Sequence, residues 1–174
     1  MPSPGFPPSG RRVRREGVDL VSDQSISVAE LMERVGSEIG VSDWFAVTQD
    51  RINDFADATL DHQFIHVDPA RAAAESPFGV TIAHGFLTLS LLPHLGSGVK
   101  VLPKGTKVEI NYGTEKVRFL APVPVNSQIR ARATLADVTE RRPGQFLIKK
   151  TVTVEIKGAD RPALVAETLT LAIT

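Results

Sequence analysis

The run from His84 to Leu92, HGFLTLSLL, constrains this chain more than any other. Its residues are apolar or small on nearly every side, so a helix built from it must be wrapped by other structure rather than lie on a surface. The C-terminal half of the chain supplies the wrapping. After Gly96 the pattern turns to period two, in Val108-Glu109-Ile110, in Lys116-Val117-Arg118-Phe119 and in the line Ile129, Ala131, Ala133, Leu135. The clearest alternation sets Ile148, Val152, Val154 and Ile156 against Lys149, Thr151, Thr153 and Glu155. Arg142-Pro143-Gly144 reads as a hairpin turn and Gly158-Ala159-Asp160 as another, with a last strand over roughly 163–173. Strands segregated from helices make an α+β domain. One curved antiparallel sheet around one long central helix is the simplest way to bury that helix.

The chain before the helix is broken into short pieces. MPSPGFPPSGRRVRREG is rich in Pro, Gly and Arg, and residues 1–26 read as a flexible N-terminal arm. Its cluster Arg11, Arg12, Arg14 and Arg15 reads as a solvated tail. Residues 27–174 are then the folded domain. Ser27 and Glu30 have capping-box spacing, with Val28, Leu31, Met32 and Val35 at helical intervals and Gly36 and Gly40 as stop signals. Trp44 to Thr48 looks like a strand, and Thr48 or Asp50 caps a helix over 49–59. Asp68-Pro69 starts another short helix, Pro77-Phe78-Gly79 breaks it, and Pro93 ends or kinks the apolar one.

Composition removes several functions. Lys+Arg and Asp+Glu both count 20, so no general attraction to nucleic acid is expected. With no cysteine there is no disulfide and no thiol catalysis, which fits a reducing cytoplasm. No apolar run reaches the roughly 18 residues of a membrane span, and no signal-peptide pattern opens the sequence. A soluble cytoplasmic protein is expected. Phosphate-cradling glycine loops, dinucleotide fingerprints and serine elbows are missing, so an enzyme here works by acid–base chemistry without a bound cofactor.

All four histidines, His62, His66, His84 and His94, fall between Asp61 and Leu95. Asp61 and His66, five residues apart, can converge across a turn, and a carboxylate with an imidazole positions a water and moves protons near neutral pH. An Asp and a His this close also arise by chance. His84-Gly85 stands where the apolar helix begins, and N–H groups at a helix start are unpaired and slightly positive. Gly85 has no side chain to keep a ligand carbonyl from those donors, which suits an oxyanion on an ester or thioester. Equally, a Gly there keeps helix and sheet close. A metal held by His62, His66, Asp68 and His84 is disfavoured, because Pro69 and the expected turns interrupt the run. Asp68 reads as an N-cap, His62 as a loop residue, and His94 as a cation near a helix C-terminus.

Together these residues resemble a known family. ATLDHQFIHVDPARAAAESPFGVTIAHGFLTLSLL, the lead-in VSDWFAVTQDRINDFADAT and the later NYGTEKVRFLAPVPV are similar to the MaoC-like (R)-specific enoyl-CoA hydratases, in the branch that includes nodulation protein N. The joint pattern Asp-x4-His-x-Asp-Pro, then Phe-Gly and Ile-Ala-His-Gly, carries the resemblance over residues 40–174. It implies a hot-dog fold and a homodimer whose sheets join. It implies that Asp61 and His66 act on the water that adds to a trans-2-enoyl-CoA, giving an (R)-3-hydroxyacyl-CoA. Gly85, with His84 before it, would bind the thioester carbonyl, and CoA enters only as part of the substrate. Two positions depart from the pattern: Leu60 stands where the motif has Gly, and Gln63-Phe64 where many members have Asn-Pro. A Gly at 60 permits a φ > 0 turn that Leu resists. Besides hydration, two readings stay open: an acyl-CoA thioesterase, and a non-catalytic acyl-thioester binder.

Overall fold

The computed structural model describes residues 25–174, so residues 1–24 of the arm expected over 1–26, with their arginine cluster, lie outside the described residues, and the last two of that span belong to a strand. Ser25–Ile26 forms β1, a two-residue strand running parallel to β4, Leu102–Pro103. The capping box closes as its spacing requires: the Ser27 N–H donates to Glu30 Oε2 (2.8 Å) and the Glu30 N–H to Ser27 Oγ (3.2 Å). It starts α1, Val28–Glu33, which plants Leu31 in the core. Gly36 turns the chain with φ +89°. Gly40, read as a stop signal, instead lies within a strand, β2, Glu38–Val41. A Cβ on Gly40 would sit 2.8 Å from Val99 Cγ1, so the residue is needed for close approach rather than for ending a helix.

Phe45–Ala46 is β3, and Thr48 caps α2, Gln49–Thr59, through its hydroxyl. The chain then makes two short helices, α3 (Phe64–Val67) and α4 (Pro69–Glu75). Asp68 closes α3 and caps α4, its carboxylate accepting from the Arg71 N–H at 2.9 Å. The central helix comes in two pieces, α5 (Gly85–Ser90) and α6 (Leu92–Gly96), with a single 3-10 turn over Ser97–Val99. Pro93 has no N–H for the carbonyl four residues back, and it stands in the first turn of the second piece, just after the division at Leu91. Leu87, Leu91, Leu95 and Val99 form its buried stripe, whereas Phe86, Ser90, Pro93 and Ser97 on the other side remain exposed.

Four long strands complete the domain: β5 (Val108–Phe119), β6 (Gln128–Arg142), β7 (Gln145–Ile156) and β8 (Leu164–Ile173). The six-stranded antiparallel sheet has the order β2-β6-β7-β8-β5, with β3 also on β6. Its inner face is set by the alternation in the sequence. Ile129, Ala131 and Ala133 of β6, Val152 and Val154 of β7, and Leu164 and Ala166 of β8 pack on the helix stripe. Alanines sit where the helix comes close. A second cluster, with Leu31, Val101, Leu135 and Phe146, fills the far end. The outer face is laced by charges: Glu155 accepts from both Arg130 (2.6 Å) and Arg132 (2.8 Å). This is the hot-dog arrangement, a curved sheet cupping a central helix.

Candidate active site

Leu60 ends α2 in the left-handed region, with φ 62° and ψ 22°. The turn that the usual glycine would make is therefore made by Leu, its side chain 82% exposed. From that turn Asp61 projects at the surface. One turn of α3 carries His66 inward, where it is buried. The segment after α4 returns along the same region, because the Ile82 N–H donates to the Ile65 carbonyl (2.9 Å) and the Ala83 N–H to the Val123 carbonyl (2.8 Å). It delivers His84 as the residue before α5.

The two imidazoles stack, with ring centroids 3.8 Å apart and planes 28° from parallel. Phe55 lies against His84 at 5.1 Å. His66 Nδ1 is 2.7 Å from the Ile82 carbonyl, and His84 Nε2 is 2.9 Å from the Asp61 carbonyl. A carbonyl only accepts, so His66 Nδ1 and His84 Nε2 both carry hydrogen. His84 Nδ1 is buried with no hydrogen-bond partner among the described residues. A carboxylate oxygen of Asp61 and one nitrogen from each ring lie within 4.8 Å of one another. Burial holds the His66 pKa below the usual histidine value, with the neighbouring His84 adding to the fall and the Ile82 carbonyl and Asp61 opposing it. His66 is thus a neutral base at neutral pH, beside a carboxylate.

Gly85 opens α5 at the wall of a cleft of about 300 Å³, which His66, Thr88, Phe119 and Pro122 also line. A Cβ on Gly85 would come within 3.0 Å of the Phe119 ring, so the close-packing reading of this glycine has a physical basis alongside the open N–H. Asp61, His66, His84 and Gly85 are therefore brought together. His62 is not: it is exposed and pairs with Asp57 at 2.8 Å. Asp68 is spent as a cap, and His94 packs edge-on to Phe45 with centroids 4.6 Å apart.

Gln49 is the residue that sequence reasoning missed. Its Nε2 donates to the His66 carbonyl (2.7 Å) and its Oε1 accepts from the Thr81 hydroxyl (2.6 Å), tying α2 to both approaches to the site. Its partners are 17 and 32 residues away, and no local signal marks such a clamp.

Three comparisons bear on the family and the fold. Residues 30–158 match the sequence family described as the MaoC like domain. The chain is 52% identical over 143 residues to 3-hydroxyacyl-thioester dehydratase Z of Mycobacterium tuberculosis, covering 82% of this chain and 93% of that one. It is 48% identical over 147 residues to nodulation protein N of Rhizobium leguminosarum bv. viciae, covering 84% and 91%. Among solved structures it overlays on the R-hydratase PhaJ1 of Pseudomonas aeruginosa in its unliganded form, with a TM-score of 0.62 at 21% identity over 80% of this chain and 81% of that one. The family match spans most of the described domain, both sequence relatives are similar along nearly their whole length, and the chain is a member of the MaoC-like dehydratase family.

Proposed function

We propose that this protein is a hydro-lyase that interconverts trans-2-enoyl-CoA and (R)-3-hydroxyacyl-CoA thioesters. The observation that carries the proposal is the convergence of the Asp61 carboxylate with the His66 and His84 ring nitrogens beside the first turn of α5. In the hydration direction, Asp61 and His66 hold a water between them and one takes its proton as oxygen bonds to the β-carbon. Electron density moves to the thioester oxygen, which the Gly85 N–H receives. The proton then returns to the α-carbon, so water is added with no net change in the catalytic pair. Dehydration is the same path reversed. His84 Nδ1, buried without a partner among the described residues, is a further hydrogen-bonding group at this point. The (R) configuration rests on the family resemblance and on the R-hydratase name of the structural neighbour.

A homodimer is part of the same reading. β5 is the sheet's outer strand and exposes Val108, Ile110, Tyr112 and Phe119, with Phe86 of α5 edge-on to Phe119 at 5.7 Å. A long edge strand with apolar side chains exposed, unpaired on its outer side among the described residues, is a surface that a second copy can extend.

The test is the loss of enoyl-thioester absorbance with crotonyl-CoA and longer 2-enoyl-CoAs, on wild type and Asp61→Asn. Turnover should fall by about 10²–10⁴-fold in the variant, the range for a lost general acid–base group. Release of free thiol without change in the double bond would instead identify a thioesterase. Binding of the esters by wild type without any turnover would identify a non-catalytic binder.

A further inference from the structure

Lys150 breaks the rule that builds this sheet. On β7 the side chains that point inward are Phe146, Ile148, Val152 and Val154, all buried, and Lys150 occupies the same row between Ile148 and Val152. Its neighbour Lys149 faces out and is paired with Glu115 at 2.9 Å. Lys150 itself makes no ion pair or side-chain hydrogen bond among the described residues, and the nearby Glu109 is taken by Lys100. The position lies between the sheet's two apolar clusters, with Val152 in one and Ile148 in the other.

Lys150 faces a cavity of about 460 Å³ between helix and sheet. Leu89, Leu92, Ala131, Ala133 and Val152 give it apolar walls. Next to Lys150 its lining turns polar: Thr168 pairs with Lys150 across the strands, Thr170 follows on β8, and Asn111 is opposite Thr170 on β5. Leu89 of the cavity wall follows directly in the chain on Thr88, which lines the cleft at Gly85. From Gly85 to Pro93, also in the cavity wall, the helix advances about 12 Å at about 1.5 Å per residue. An extended acyl chain of roughly ten carbons covers that distance, given bonds of about 1.5 Å.

We infer that this cavity takes an acyl chain whose far end carries a carboxylate, and that Lys150 with Thr168 and Thr170 is the group that recognises it. The inference rests on the enoyl-thioester reading of the Asp61 site. Lys150 is half-buried in an apolar row, and Glu109, the carboxylate in the same cavity wall, is already bonded to Lys100, so an anionic ligand supplies a partner of its own. Burial lowers the Lys150 pKa, Lys100 lowers it further, and Glu109 offsets part of this. A carboxylate arriving beside it favours the charged form. A plain alkyl end would cover the ammonium without matching its charge.

The test is binding, which needs no turnover. Calorimetry compares decanoyl-CoA with its counterpart bearing a free carboxylate on the last carbon, using wild type, Lys150→Met and Lys150→Arg. Wild type should favour the carboxylated ester on the order of tenfold, as expected for a charge-assisted hydrogen bond. Lys150→Met should abolish or invert that preference while keeping a folded protein with a raised melting point, and Lys150→Arg should keep it. Equal binding of the two esters by wild type, or a preference unchanged in Lys150→Met, overturns the inference. Turnover of both 2-enoyl esters at equal efficiency would overturn it while leaving the hydro-lyase reading intact. A carboxylate preference in a protein without turnover would sink the hydro-lyase reading alone.

Discussion

Leu60 offers a sharp test of how the site's first turn is made. It holds φ 62° and ψ 22°, a region that costs an L-residue about 1–2 kcal/mol, and its side chain is 82% exposed. Leu60→Gly removes that cost and forfeits little packing. Against it stands the extra freedom that glycine brings to the unfolded chain, about 0.5–1 kcal/mol. Taken at the middle of both ranges, the balance is a gain of about 0.75 kcal/mol. For a domain of this size 1 kcal/mol moves the melting point by about 2–4 °C, so a rise of about 1.5–3 °C is expected by calorimetry. Activity should be retained, because Asp61 is already presented by the turn that glycine would make. A lower melting point would refute the reasoning, by showing that the Leu60 side chain contributes more in contacts than its backbone costs.

Acid should act through His66. Its pKa is held below the usual 6.5, so the neutral base persists further into acid and the acid limb of kcat/KM should fall below pH 6.5. A midpoint at or above 6.5 would contradict a buried His66 base. The same shift has a stability sign: the unfolded histidine binds its proton first, so the contribution is present above pH 6.5 and lost as pH falls through the folded value, measurable by urea unfolding at several pH values. Gly85→Ala should lower kcat/KM by pressing its new methyl on the Phe119 ring. Recovery in Gly85→Ala/Phe119→Ala would assign the defect to packing, whereas no recovery would assign it to blocked approach of the thioester carbonyl. Dialysis against a chelator should leave the rate unchanged, and a loss restored by added zinc would transfer the role of Asp61, His66 and His84 to metal binding.

What could be read in the sequence was local. Ser27 with Glu30, Thr48, Asp68-Pro69 and the 142–144 hairpin are each defined within a few residues, and each forms as the spacing implies. β2 escaped because Gly36 and Gly40 look like breakers, while the strand is made by pairing with β6 far along the chain. The convergence of Asp61 and His66 could be guessed from spacing, yet the stacking of His84 on His66 could not, since it depends on Ile82 being held beside Ile65. Lys150 was visible as a gap in an otherwise regular alternation. Only the register of β7 shows that it points inward with Ile148 and Val152 rather than outward with Lys149.

The bonds His66 to Ile82 and His84 to Asp61 have a consequence for how mutants will behave. Each histidine clasps the backbone near the other: the His66 ring grips the carbonyl two residues before His84, and the His84 ring grips the carbonyl five residues before His66. The two rings thus brace each other's segments in a closed circuit. Removing either imidazole frees the segment that carries the other. Single and double histidine variants should therefore lose nearly the same activity, and their effects cannot be divided into separate shares.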